Sequence, residues 1–396
     1  MRRYVCTIYW LIGVLFFVEP FLSAFTANKY IIHGLEIVIL MQLFVCCWHV
    51  FSHKADVHYG KVAQVLWCAL AAVSIGIIVR GDYAGGLLKF LLKFKYGYGL
   101  MVYLLPAVIL PLPNLKYFDA ILSVLFKLQL LVIPLWMIGY FSPDGLVREV
   151  FYGEQIGVYL PVISAFLLGF LRLLSPSRRI VTFCIYLIYL LLMVLNARRN
   201  MVLSLGLYGL VAIIVNVLFS GNKKATLIML VALLFSAVTI GANFERLSTG
   251  ILSNLMDKGM EDTRSGVEMI FLYDFSNSPA TDIAFGRGID GTYYQEMVDK
   301  DTEEVTYDRE GIETGYLHMV LKGGVVYAVL LIAMMMTAIV TGCRMRRRYL
   351  AYLSLVMVIF LVDSYTSNPI CTFSIRTVIF WLSLSLLLQQ VPKQAN

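Results

Sequence analysis

The chain has 396 residues, is 60% hydrophobic and only 14% charged, and has a mean hydropathy of +0.79. A soluble globule of this size has nowhere to bury so much apolar surface, so a bilayer supplies the missing solvent and almost no water-soluble domain is expected. The formal net charge of +7 averages basic connectors with one acidic loop, which removes the uniform basic face that a nucleic-acid partner needs.

Twelve apolar runs are expected to cross as helices: 5–22, 30–51, 62–79, 98–112, 120–141, 156–174, 180–195, 201–219, 225–240, 323–339, 349–362 and 374–388. They define an all-α, polytopic bundle, one membrane domain over residues 1–396. Arg2-Arg3, an apolar run and Ser23-Ala24-Phe25-Thr26-Ala27 imitate a secretory signal. The run is long and aromatic and is interrupted by Glu19-Pro20, so an uncleaved first helix is expected.

Alternate connectors are basic: Lys54 and Lys61; Lys116; Arg172, Arg178 and Arg179; Lys223 and Lys224; Arg344, Arg346, Arg347 and Arg348. The positive-inside bias then puts both termini in the cytoplasm. Leu87 to Lys95 reads LLKFLLKFK, which fits an amphipathic helix or anchor in the outer interface. Lys127 and Gln129 are the main polar pair within a span. Ala197-Arg198-Arg199-Asn200 is a tight turn on the outer side, against the charge bias, and its guanidinium groups need either a phosphate or a carboxylate.

Residues 241–315 form a large extracytoplasmic loop between spans nine and ten. It holds 16 of the 25 Asp and Glu against 6 Arg and Lys, a net charge of −10. Residues 252–264 are expected to be helix-like, with Arg264 leading into an apolar face of Val267, Ile270 and Phe271. Gly286-Arg287-Gly288 reads as a turn. Met297 to Arg309 is acidic and poor in apolar residues and is expected to be a mobile flap.

Glu313 and His318 are the acid–base candidates, because a group where the loop re-enters the membrane is partly buried and suited to proton transfer. The seven cysteines show no metal spacing, and Cys371 in an outer connector has no disulfide partner there. No zinc-protease, nucleophile-elbow or P-loop pattern is present, so no metal and no cofactor is expected.

In architecture the chain resembles, over nearly its whole length, the O-antigen ligase and polysaccharide polymerase superfamily of bacterial envelopes. That family has about twelve spans and a large loop between spans nine and ten. The matching residues are Arg198 in the outer turn, with an Arg-x10-Gly spacing to Gly209, Arg264 early in the loop, and the Gly286-Arg287-Gly288 turn. The loop-exit motif departs from the family form His-Asn-x-x-Leu. Its histidine position falls on Glu313, in Glu313-Thr314-Gly315-Tyr316-Leu317, with Lys322-Gly323-Gly324 following. This version looks more like the repeat-unit polymerases of O-antigen or capsule than the ligases, which use that histidine to transfer polysaccharide to a lipid acceptor.

The resemblance implies a glycosyltransferase in the bacterial inner membrane with its site facing the periplasm. Oligosaccharide repeat units on undecaprenyl pyrophosphate are both donor and acceptor, and a chain-length regulator and a flippase are the implied partners beside membrane lipids. Arg198, Arg199 and Arg264 are expected at the pyrophosphate. Glu313, then His318, is expected as the base. Arg287, Tyr293 and Tyr294, with Tyr273 and Tyr307, are expected along the glycan. The rival class is a flippase or other transporter, which predicts mid-membrane polar sites and internal repeats.

Overall fold

The computed structural model of the protein describes residues 1–23, 29–53, 57–81, 99–141, 161–195, 199–219, 263–298, 305–345 and 347–389. The first part contains α1 (Arg2–Ser23), α2 (Lys29–Ser52), α3 (Lys61–Val79), α4 (Leu100–Ile109), α5 (Phe118–Phe141), α6 (Pro161–Leu168), α7 (Pro176–Leu195) and α8 (Arg199–Phe219). Then come α9 (Thr263–Ser276), α10 (Ala280–Phe285) and the strands β1 (Tyr293–Val298) and β2 (Val305–Arg309). The chain finishes with α11 (Gly315–Arg344), α12 (Arg348–Thr366) and α13 (Ile375–Leu388).

Eleven of the expected apolar runs hold a helix; residues 225–240, 87–95 and 252–262 lie outside the described residues. Among the described residues, four helices are long and apolar enough to cross a bilayer: Tyr30–Ser52, Lys61–Val79, Gly315–Arg344 and Arg348–Tyr365. Three shorter apolar helices accompany them. The chain is a helical membrane protein. On α2, Leu43, Cys46, Cys47 and Val50 are buried, yet Met41, Phe44, Val45 and Trp48 on its other face are exposed. A helix apolar on both faces has lipid as its second partner.

Close approach and a few polar ties hold the bundle. Gly13 of α1 lies against Leu128 of α5, and Gly209 of α8 lies under the Tyr186 hydroxyl of α7, where any Cβ would collide. Tyr186 donates to the Leu205 carbonyl at 2.8 Å, so Gly209 is a packing position between α7 and α8. Gln129 is fully buried and donates to Thr182 at 3.0 Å, which ties α5 to α7, whereas Lys127 is exposed. Asn114 accepts from Tyr9 at 2.9 Å and donates to Ile109 and Ser385 at 2.9 and 2.8 Å, joining α1, α4 and α13 at one end. We call that the connector end, and the opposite one the loop end.

The described parts of the segment expected to be a flap, residues 297–298 and 305–309, are strand, and residues 299–304 lie outside the described residues. β1 and β2 form an antiparallel hairpin pairing Tyr293 with Arg309 and Val298 with Val305, with a bulge between Tyr294 and Met297. In β2 the charged Asp308 and Arg309 follow Val305, Thr306 and Tyr307, which are strand formers, and β-propensity prevails there over charge. A separate small core of Phe271, Phe275, Tyr293, Ile312 and Leu321 anchors this segment on α11. Val267 packs against it, while Ile270, expected on the same face, is exposed.

Candidate functional site

The loop is fastened by a glycine turn seated in a broken helix. Helix α11 is interrupted at Gly324, whose φ of 71° and ψ of −178° are outside the helical region. The break leaves carbonyls without helical partners. Leu321 O accepts from Arg287 N–H at 2.8 Å and Lys322 O from Gly288 N–H at 3.0 Å. Gly286 and Gly288 have φ of 72° and 83°. A Cβ at Gly286 would strike the Lys322 carbonyl, and one at Gly324 the Ala284 carbonyl, so only glycine permits this contact of backbone on backbone. The turn foreseen at Gly286-Arg287-Gly288 and the Lys322-Gly323-Gly324 run are thus two halves of one joint.

Three cations secure it. Lys322 is buried and its Nζ donates to Ile289 O and Gly291 O, each at 2.8 Å. Arg80, just past α3, donates to Gly286 O and pairs with Asp282 at 2.6 Å. Arg287 pairs with Asp274 at 2.6 Å, donates to Ser278 Oγ at 2.6 Å and Thr292 O at 2.5 Å, and lies 5.7 Å from the centre of the Phe275 ring. Arg287 therefore braces the loop internally.

A second set of ties fixes the segment that enters α11. Ile312 O accepts from Asn368 Nδ2 at 2.6 Å, and Gly315 N–H donates to Ser367 O at 3.0 Å. Thr314 Oγ1 donates to Glu268 of α9. His318 is fully buried, and its Nδ1 accepts from Ile312 N–H at 3.4 Å, a long bond that assigns the proton to Nε2. Glu313 is exposed between these anchors rather than half-buried as expected. The two acid–base candidates are therefore unlike: one faces outward, the other is enclosed.

Glu313 belongs to a polar rim. It acts electrostatically on Tyr293, whose hydroxyl donates to Gln295 at 2.8 Å, and Arg309 donates to the same Gln295 oxygen at 2.9 Å. Burial pushes the Tyr293 phenol up, and Arg309 pulls against that shift. The Tyr293 ring is buried edge-on to Phe271 at 5.5 Å, so it offers its hydroxyl and no face. Tyr294 and Tyr307 do offer faces: they are exposed and stacked, with centroids 5.8 Å apart and planes 12° apart. Tyr273 is also exposed. Arg264 occupies the first turn of α9, four residues before Glu268. Arg199 is the first residue of α8, and Arg198 lies outside the described residues.

One buried cluster was not foreseen. Asp363 of α12 and Arg376 of α13 form an ion pair with side chains 6% and 7% exposed. Ser204 of α8 donates to Asp363 Oδ2 at 2.9 Å, and Ser367 Oγ to Asp363 Oδ1 at 2.7 Å. Through Ser367 the cluster reaches Gly315, so it connects the start of α8, which begins at Arg199, with the start of α11. The signal was an aspartate closing one apolar run and an arginine opening the next. Cys371, between those runs, is buried, and its thiol is pushed up by burial. Among the described residues no group of three His, Cys, Asp or Glu side chains could hold a metal ion.

In comparisons with known proteins, no family model, curated protein or solved structure matches the chain.

Proposed function

We propose that this protein is a membrane glycosyltransferase that polymerises undecaprenyl-pyrophosphate-linked oligosaccharide repeat units on the periplasmic face of the bacterial inner membrane. In this reading the chain crosses about twelve times, both termini are cytoplasmic, and the acidic loop faces the periplasm. The observation that carries it is the position of Glu313. It is an outward-facing carboxylate at the mouth of α11, held by ties on both sides and next to Tyr293, Arg309 and the helix whose first turn holds Arg264.

The chemistry assigns each group one task. Glu313 takes the proton from the acceptor hydroxyl. The hydroxyl oxygen bonds to the anomeric carbon of the growing chain as the bond from that carbon to the phosphate oxygen breaks. Undecaprenyl pyrophosphate leaves, and Arg264 with Arg198 and Arg199 stabilises its charge. The Tyr294–Tyr307 pair is a platform for sugar rings, replacing Tyr293 and Arg287 in that role. Enclosed His318 is a positioning residue for Ile312 and hence for Glu313, which favours the polymerase over a histidine-dependent ligase.

A transporter reading draws on the broken span. Here the break is filled by the protein's own Gly286–Gly288 turn, and Gln129 is used in a helix contact. The test is Glu313→Gln in the native host beside His318→Gln. Glu313→Gln is expected to leave single repeat units on the lipid carrier with protein level unchanged, and His318→Gln to do less harm. Normal polymer from the Glu313→Gln strain refutes the proposal.

A further inference from the structure

At the connector end, far from the loop, a cavity of about 480 Å³ opens between the first turn of α3 and the last turns of α11, with Leu388 of α13 in its lining. Its composition is that of a lipid seat. Val62, Met336 and Val340 line it and are exposed apolar side chains. Lys61 and Arg344 line it too, both are exposed, and among the described residues no acidic one does. Among the described residues neither cation has a hydrogen bond or ion pair, unlike Arg80, Arg287, Lys322 and Arg376 elsewhere in the molecule. Gly60 precedes α3 without a side-chain cap, so the first-turn amides add partial positive charge beside Lys61.

We propose that this groove binds one anionic phospholipid, with an acyl chain along Val62, Met336 and Val340 and the phosphate between Lys61 and Arg344. Two cations without a partner among the described residues, at the mouth of an apolar groove between membrane helices, match the two parts of such a lipid. A zwitterionic lipid satisfies the apolar wall but brings its own cation to a site that already holds two. The proposal is independent of the reaction assigned to the loop end, because none of these residues takes part in it.

The test uses the purified full chain in nanodiscs of phosphatidylcholine with graded phosphatidylglycerol, read by native mass spectrometry of retained lipid and by melting temperature. Each basic side chain near a bilayer surface contributes about fivefold to anionic-lipid affinity, so Lys61→Gln with Arg344→Gln is expected to lose about thirtyfold. The wild type is expected to keep one phosphatidylglycerol and to melt higher with it than in phosphatidylcholine alone. Arg172→Gln with Arg347→Gln, exposed cations outside the groove, is expected to behave as wild type. Equal retention by the groove variant, equal loss by the control variant, or equal retention of phosphatidylcholine overturns the proposal. So does an equal melting shift from inorganic phosphate, which would make the ligand a free anion.

Discussion

Replacing Gly324 by alanine is expected to undock the loop while leaving the bundle folded. The φ of 71° and ψ of −178° at this residue belong to a region that side chains strain to enter, at a cost of about 1 kcal/mol or more. The added Cβ would sit on the Ala284 carbonyl, so the end of α10 must retreat. Retreat breaks the amide bonds from Arg287 and Gly288 to Leu321 and Lys322, about 1 kcal/mol each. Docking is therefore weakened by about 3 kcal/mol before Lys322 is counted, roughly 150-fold in the ratio of docked to undocked loop. Hydrogen exchange read by mass spectrometry on peptides covering 286–289 reports that ratio directly, and those amides are expected to exchange about 150-fold faster. Gly266, with open space around its Cβ position on α9, is the control, and its alanine variant is expected to be neutral or slightly stabilising. Unchanged exchange at 286–289 in Gly324→Ala refutes the joint as the fastening of the loop.

The buried ion pair gives a second test: Asp363→Leu strands the Arg376 guanidinium and is expected to cost about 3–5 kcal/mol, seen as a large drop in melting temperature. Asp363→Leu with Arg376→Met removes both charges and is expected to recover most of that loss, and a double variant no better than the single one refutes the pairing. For the pyrophosphate role, Arg264→Ala is expected to abolish polymer and Arg264→Lys to restore part of it, since lysine keeps the charge and loses the forked geometry. Full-length polymer from Arg264→Ala, at normal protein level, removes Arg264 from the mechanism.

What was legible in the sequence followed from solvent. A run of Leu, Ile and Val in a bilayer must satisfy its own backbone, and each run with described residues holds a helix. The Gly286–Gly288 turn was legible because glycine at that spacing is the signature of unusual backbone. The hairpin was not, because Asp299, Asp301, Glu303 and Glu304 dominate the charge count between Tyr293-Tyr294 and Val305-Thr306-Tyr307. Nor were the contacts that decide the site. Arg80 reaches Asp282 across 202 positions, and Asp363 meets Ser204 across 159. No local period carries such pairs. Even His318, in the right neighbourhood, could not be sorted from Glu313 by position, because five residues along a chain entering a helix separate an exposed group from an enclosed one.

These contacts explain how a residue outside the helices can hold a fixed place. Glu313 lies in a short segment just before α11, where a backbone without helical bonds is ordinarily free to move. Here the residue before it accepts from Asn368, the residue after it bonds to α9, and Gly315 bonds to Ser367. Glu268 and Asn368 belong to different elements, so movement of Glu313 requires the loop and the α12–α13 connector to shift together. The joint at Gly324 stops the first, and the Asp363–Arg376 pair stops the second. A general base has to keep its carboxylate within hydrogen-bond reach of one hydroxyl, and that precision comes from supports that are themselves buried. The two glycine runs and the buried ion pair, which touch no substrate in this reading, are therefore where the geometry at Glu313 is set.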